Sequence, residues 1–484
     1  MPEREWSPSV SETHSAVVLL LGDLAFKIKK PVDLGFLDFR TLESRRRFTY
    51  RELELNRRFS PDVYLDVDSL VGSDGRPREY VLVMRRMPDS ARLSTRIVNG
   101  DAVDADLSQV ARLMAAFHSG ASREPEVRAE ASAAGLQRRW ASNLCEAEGY
   151  RGDLIDPAVH AELATLVTGF LRCNEEWLNE RANSGLAMDG HGDLRADDIF
   201  CLPDGPRVLD CVEFDDRLRW VDVIDDIAFL AMDLEHLNRT DLATAFVSDY
   251  ADFSGTMVPQ HLLNHYVAYR ALVRAVVSCI RSEQGDPQAR HSASRYAALA
   301  LRHARRAQSF LLLVGGPPGS GKTTLARGLA ARLGCLLIHS DEVRQEVRVP
   351  SGEDRYSERS KDAVYDEMLR RGEFALRHGE NVVLDATWGS PERRHRAERL
   401  AKELPAQATA LECRVPLGVA AARAESRMQA GSDASQAGAT VSRALTQAWQ
   451  PWAEAHLVDT EVTPEESLAA ALAVLPEPLR STTG

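Results

Sequence analysis

The sequence predicts two domains, an α+β region up to about residue 308 and an α/β region with a parallel sheet from 309 onward. Three observations carry this. Short apolar strands alternate with helical stretches after 308, the pattern of a parallel sheet covered on both faces. A glycine-rich G-x-x-x-x-G-K-[ST] segment sits between the first of those strands and the next helix. Before 308 an apolar hairpin and a charged helix precede a long helical region, with two short strands inside it.

At 484 residues the chain exceeds one ordinary core. Its 44% hydrophobic and 27% charged residues suit a folded globular protein. A net charge of −13 argues against nucleic acid as a stable partner and against an anionic membrane surface, both of which call for a basic face. Lysine occurs at only six positions, so a lysine inside a candidate site carries more information than usual. Cys145, Cys173, Cys201, Cys211, Cys279, Cys335 and Cys413 are scattered, with no C-x-x-C pair, which argues against a zinc site or a disulfide framework. MPEREWSPSV lacks the basic-then-apolar pattern of a leader, and no run approaches 18 apolar residues. The expected location is cytoplasmic.

In the first region, 13–30 (THSAVVLLLGDLAFKIKK) reads as a hairpin turning at Gly22-Asp23, 41–58 as a charged helix, and Glu79–Met87 as a strand. Helices dominate from about 105 to 182 and resume from 222 to about 308. Between them IFCLP and RVLDCVEF read as short strands. The polar turn within Ser282–Arg295 and the helix after it lead to a boundary near 308. In the second region the strands are LLLVGG, LLIHSD, NVVLDAT, ATALECRV and AHLVDT. The tail after Pro476 is expected to fray.

Gly316, Pro317, Pro318, Gly319, Ser320, Gly321, Lys322 and Thr323, followed by Thr324, form the glycine-rich segment. The glycines let successive N–H groups face a phosphate at a helix N-terminus. Lys322 can reach the β- and γ-phosphates of ATP, and Thr323 can bind Mg²⁺. Asp341 in SDEVR stands at the next strand's end, bordering the ligand crevice of such a sheet, where it can take a hydroxyl proton from an acceptor. Arg344, three residues on, can hold an anionic group. The blander role for Asp341 is a helix cap. Asp385, ending VVLD, is placed to bind the metal, its alternative being a loop cap. Arg423 and Arg427 share a helix face and can close over phosphates, or stay solvated. The Gly/Ser-rich GSDASQAG that follows suits a lid.

GPPGSGKTT, SDEVR, LDAT, the R-x-x-x-R pair and SDA at 432–434 resemble the P-loop small-molecule and polynucleotide kinases, a group including zeta toxins and chloramphenicol phosphotransferase, over about 309–463. The resemblance implies a three-layer αβα P-loop fold and ATP-to-hydroxyl phosphotransfer with Asp341 as base. HGDLRADD at 191–198, followed by IFC and VLDCVEF, resembles the Brenner motif of aminoglycoside phosphotransferases, small-molecule relatives of protein kinases. That implies a protein-kinase-like domain over 1–308, with a small lobe to about 90 and a large lobe from 91. In that reading Asp193 accepts the acceptor's proton, Asp198 and Asp210 hold Mg²⁺, Lys27 contacts phosphate and Glu52 pairs with it; Lys29 and Glu54 compete for the last two places. Asp226 would brace the catalytic loop. With KIKKPVDLGFLDF and EFDDRLRWVDVIDDIAFLAMDL, the whole resembles bifunctional aminoglycoside phosphotransferase/ATP-binding proteins, with the 309–484 domain second.

Two departures leave the first site open between an active transferase and a degenerate domain that binds ligand without turnover. Position 198 is Asp where the phosphotransferase pattern has Asn, and no G-x-G-x-x-G loop occupies the first hairpin. The function expected is an ATP-dependent phosphotransferase acting on a small-molecule hydroxyl. The alternative is an ATP-operated switch in which the first domain holds a ligand.

Overall fold

The computed structural model describes residues 9–12, 15–33, 38–347, 357–404, 406–430, 450 and 452–476. The expected lid at 431–438 with SDA at 432–434, the Arg427 side chain, the tail past 476 and the first eight residues lie outside the described residues. The chain divides into two compact units, one of Met1–His160, Leu178–Val258 and Tyr266–Ala300, the other of Ala161–Trp177, Pro259–His265 and Leu301–Gly484.

The first unit opens with five antiparallel strands: β1 (Ser9–Glu12), β2 (Ala16–Leu21), β3 (Leu24–Lys29), β4 (Tyr64–Val71) and β5 (Pro77–Arg85). Their order is β1-β2-β3-β5-β4. Leu21 pairs with Leu24 across the two-residue loop, where Gly22 has the positive φ, 55°, that such loops require. Helix α1 (Leu42–Asn56) joins β3 to β4 and is capped by Thr41, whose side chain accepts from the Ser44 N–H. Leu53, Val63, Tyr64 and Leu82 bury together with Phe200 and Leu209, so the small sheet rests on the segment that carries the acidic loops.

Helices follow in chain order, most of α6, the first turns of α7 and α10 and the end of α11 belonging to the second unit: α2 (Leu93–Val98), α3 (Asp104–Gly120), α4 (Pro125–Ala131), α5 (Ala133–Glu148), α6 (Pro157–Cys173), α7 (Glu175–Arg181), α8 (Val223–His236), α9 (Thr240–Ser254), α10 (Gln260–Glu283) and α11 (Ala289–Arg306). Two small two-stranded antiparallel sheets interrupt them. β6 (Ala187–Asp189) pairs with β9 (Trp220–Asp222), and β7 (Ile199–Leu202) with β8 (Gly205–Val208). Residues 190–198 are thereby held between β6 and β7. The expected strand RVLDCVEF stops at Val208 because Asp210 takes a positive φ of 65° and turns the chain away from the ladder. The backbone N–H groups beyond it find other partners, Cys211 donating to Asn56 Oδ1 and Val212 to the His191 carbonyl.

In the second unit β10 (Phe310–Gly315), β11 (Leu336–His339), β12 (Val382–Asp385), β13 (Gln407–Arg414) and β14 (His456–Asp459) form one parallel sheet, ordered β11-β12-β10-β13-β14. Helices α12 (Lys322–Leu333), α13 (Ser340–Glu346), α14 (Glu358–Arg377), α15 (Pro391–Glu403), α16 (Leu417–Ala430) and α17 (Pro464–Val474) follow the strands. Alternation along β10 feeds both faces. Phe310, Leu312 and Val314 pack with Leu325, Leu329 and Ala471 of α12 and α17, while Leu311 and Leu313 pack with Met368 and Ala397 of α14 and α15. The result is a three-layer αβα arrangement. β10 lies centrally, with β12 and β13 on either side, so its carboxyl end opens at the switch in strand order where ligands bind such sheets. Among the described residues, no helix is long and apolar enough to cross a membrane.

Candidate functional site

The glycine-rich loop follows β10 at that switch point. Gly316 (φ 145°) and Gly319 (φ 87°) adopt backbone conformations that disfavour side chains. A Cβ at Gly319 would stand 2.1 Å from the Ala420 carbonyl oxygen, and one at Gly316 2.5 Å from Ser320 Oγ. Gly319→Ala is therefore expected to distort the loop and weaken ATP binding by at least about tenfold, since left-handed geometry alone costs a side-chain residue about 1–2 kcal/mol. Calorimetric titration with ATP checks this; unchanged affinity would contradict the tight approach.

The loop is strapped from behind. Thr460, just past β14, donates from Oγ1 to the Ser320 carbonyl at 2.6 Å, and Arg423 Nη1 donates to the Thr460 carbonyl at 2.9 Å. A cavity of about 340 Å³ is lined by Gly319, Lys322, Thr323, Thr324, Arg423 and Thr460. Arg423 thus reaches the loop region, while Pro317 and Pro318 shape the loop's first bend. Thr460 was not singled out from sequence; its signal is only its position at the end of AHLVDT.

Asp385 ends β12 with its side chain fully buried, and neither carboxylate oxygen has a hydrogen-bond partner among the described residues. Burial raises its pKa, opposed first by the Lys322 charge and then by His339 and the Thr323 hydroxyl. A buried carboxylate beside a lysine and a threonine hydroxyl has the donor chemistry of a Mg²⁺ site, and Asp385 with Thr323 would hold the ion. His339, at the end of β11, also escaped the sequence reading. Its Nδ1 lies 3.2 Å from Asp385 and its Nε2 3.8 Å from Asp341. Asp341 and Arg344 share the first turns of α13 and form an ion pair with each other. Tyr365 and Thr387 hydroxyls lie 3.1 Å apart, and Trp388 is buried with φ 52°, a left-handed geometry rare for a bulky residue.

In the first unit, Lys27 on β3 bridges Glu52 of α1 at 2.8 Å and Asp210 at 2.9 Å. Lys29, two residues on and so on the same strand face, reaches the other Glu52 oxygen at 2.7 Å and Glu213 at 2.5 Å. Glu52 therefore serves both lysines, while Glu54 pairs with Arg51 on the exposed face. Burial opposes the Lys27 charge, yet Asp210 and Glu52 outweigh it and its pKa is raised. Lys27 in turn holds Asp210 below the usual carboxylate range.

Asp226 at the start of α8 braces the acidic loop, accepting from the His191 N–H at 2.9 Å, the Gly192 N–H at 2.8 Å and pairing with His118 at 3.0 Å. Within the loop, Arg195 lies 2.6 Å from Asp198 and 3.3 Å from Asp193. Among the described residues no group of three or more carboxylate, imidazole or thiol side chains is placed to hold a metal ion; the expected ligands Asp210 and Asp198 pair with Lys27 and Arg195. Burial, despite Arg195 and aided by Asp210 and Asp193, pushes the Asp198 pKa up to about 7. The folded state thus retains a proton that the unfolded chain releases near pH 3.8. This contribution to stability is whole below that value and lost as pH rises through about 7. Asp198→Asn is expected to remove it, so in metal-free buffer the variant's melting temperature gains on the parent's between about pH 5 and about pH 8. Scanning calorimetry at both values checks this; an equal offset at each would refute it.

Fold and site together define a P-loop domain of αβα architecture and, before it, an α+β region that opens on a five-stranded antiparallel sheet. A family model for an AAA domain matches residues 311–452. The chain is 41% identical over 471 residues to the uncharacterized protein Rv2004c of Mycobacterium tuberculosis and equally to Mb2027c of Mycobacterium bovis, covering 96% of this chain and 94% of each relative. It belongs to the family of those mycobacterial proteins. Among solved structures, it is similar to a choline/ethanolamine kinase family protein from Mesorhizobium loti (14% identity, TM-score 0.38, 63% of this chain, 94% of that one). A putative kinase from Chloroflexus aurantiacus (21%, TM-score 0.30) aligns over 35% of this chain and 100% of its own, and the Mycobacterium tuberculosis APS kinase CysC (16%, TM-score 0.29) over 36% and 99%.

Proposed function

We propose that the chain is an ATP-dependent phosphotransferase whose main active centre is the P-loop site and whose acceptor is a hydroxyl group of a small molecule. The observation that carries this is the buried Asp385 carboxylate beside Lys322 and Thr323, with His339 between it and Asp341 at the neighbouring strand end. A simple nucleotide switch needs the first three groups; the second carboxylate next to them is what a transferase adds. Lys322 binds the β- and γ-phosphates, and the backbone N–H groups of 319–323 cradle them. Bound Mg²⁺ supplies charge neutralisation at the phosphates. Asp341 takes the acceptor's proton as the acceptor oxygen bonds to the γ-phosphorus and the bond to the bridging oxygen breaks, leaving ADP. Arg344 orients Asp341 or an anionic part of the acceptor, and Arg423 with Arg427 offsets charge on the moving phosphoryl.

In the same reading the domain boundary lies near 308, and the first domain is a second phosphotransfer site. Lys27, Glu52 and Asp210 hold nucleotide and metal there, with Asp193 as base. The likeness to bifunctional aminoglycoside phosphotransferase/ATP-binding proteins supports this layout. One observation favours a second reading, in which this domain binds without turnover: Arg195 engages both Asp193 and Asp198. The test is ATP loss in the presence of Mg²⁺ with pooled sugars, aminoglycosides, nucleosides and nucleotide sugars. Asp341→Asn and Asp193→Asn are compared with the parent. Acceptor-dependent turnover lost only in Asp341→Asn assigns catalysis to the P-loop site and binding to the first domain. ATP loss indifferent to every acceptor sinks the transferase reading in favour of a switch.

A further inference from the structure

His339 stands where a helix cap would be and does not cap. It is the N-cap position of α13, yet its side chain makes no capping hydrogen bond, and histidine is not among the residues that favour that place. The parallel register instead sets His339 opposite Asp385, so both side chains leave the same face of the sheet. The ring is 5% exposed, and a buried polar ring calls for polar partners. Asp385 lies 3.2 Å from Nδ1 and Asp341 3.8 Å from Nε2. The two nitrogens of one ring thus face two different carboxylates. Those carboxylates act on each other: burial and, less strongly, the Asp341 charge push the Asp385 pKa up, while Lys322 and then His339 oppose the push. Asp341 has Arg344 as a second partner. Among the described residues no metal-holding group includes His339, so the ring acts on the carboxylates and not as a ligand.

We propose that His339 is a positioning residue of the P-loop centre, orienting Asp385 through Nδ1 and Asp341 through Nε2. Imidazole is rigid and carries a hydrogen-bonding atom at each of two points, so a single residue fixes two neighbours at a set separation. Asp385 serves the nucleotide side of the centre and Asp341 the acceptor's hydroxyl. The ring therefore ties the placing of one substrate to the placing of the other. This rests on the reading of the P-loop centre as a transferase with Asp341 as base; the role of His339 is the addition.

Two amides separate the contacts, since asparagine ends level with Nδ1 and glutamine level with Nε2. Each variant of the full chain is measured by calorimetry of ADP with and without Mg²⁺. Each is also measured by ATP consumption with Mg²⁺ and the pooled sugars, aminoglycosides, nucleosides and nucleotide sugars. His339→Asn is expected to keep the gain in ADP affinity that Mg²⁺ gives, and the parent's KM for ATP, while kcat falls about tenfold. His339→Gln is expected to lose about tenfold of that gain and to raise KM for ATP, with kcat changing by less than about threefold. Thermal melts establish folding, and if one variant fails to fold the other still decides, because each must separate kcat from nucleotide affinity in its own direction. Parental values in both variants, equal losses on both readouts, or the reverse pattern overturn the proposal. Asp341→Asn tells this failure from failure of the underlying reading. If it destroys acceptor-dependent turnover while both His339 variants match the parent, the transferase stands and only His339 loses its role. If Asp341→Asn leaves turnover intact, or no acceptor changes ATP loss in the parent, the transferase reading falls and the role of His339 with it.

Discussion

Lys322→Ala is expected to lower acceptor-dependent ATP turnover by about 10²–10³-fold, the loss seen when one preorganised charge-stabilising donor is removed from an active site. Lys322 is half-buried at the glycine-rich loop, and its charge opposes the upward push that burial gives the Asp385 pKa. Its removal strips the loop of its cation and leaves Asp385 less offset, so that carboxylate shifts further toward its protonated form. Steady-state ATP consumption with a responsive acceptor, alongside a melting curve to show that the fold persists, checks the claim. Turnover within about threefold of the parent would place catalysis elsewhere in the chain.

Glu52→Ala should produce the largest stability change in the first unit. Glu52 is 1% exposed and its two oxygens are divided between Lys27 and Lys29. Breaking a buried pair by deleting one partner costs about 3–5 kcal/mol, because the surviving charge stays buried. Here the loss is moderated, since Lys27 keeps Asp210 and Lys29 keeps Glu213. The cost should therefore fall at the lower end of that range, read as a lower denaturant midpoint for the first unit's transition. Glu54→Ala, on the exposed face of the same helix, is expected to change stability by under about 1 kcal/mol. Equal effects from the two substitutions would remove the case for the shared clamp.

The second unit's fold was legible because its strands are short continuous apolar runs and the glycine-rich loop fixes where the first one ends. The residues 316–323 could be named because each has a chemical task at a set spacing. In the first unit the hairpin turn at Gly22 and helix α1 were visible, yet β1 and β4 were not. SVSE and YLDVDSLV mix exposed polar residues into their pattern, and their pairing is set by neighbours distant in sequence. The end of β8 at Val208 was hidden for a similar reason, since LDCVEF has strand composition and only the partners of Asp210, Cys211 and Val212 pull it into a loop. Among site residues, Lys27 and Glu52 were separable from Lys29 and Glu54 only in part. Glu54 faces solvent, but Lys29 shares Glu52, an arrangement no linear spacing announces. His339, Arg195 and Thr460 were missed because each acts through a neighbour rather than through a motif of its own.

The hydrogen bond from Thr460 to Ser320 spans 140 positions of sequence. A ribosome delivers the glycine-rich loop long before it delivers the threonine that braces it, and β14 is the last strand to join the sheet. The nascent chain therefore carries the whole phosphate-recognition sequence without its support for most of the second unit's synthesis. A product truncated before residue 460 would lack this brace on the glycine-rich loop.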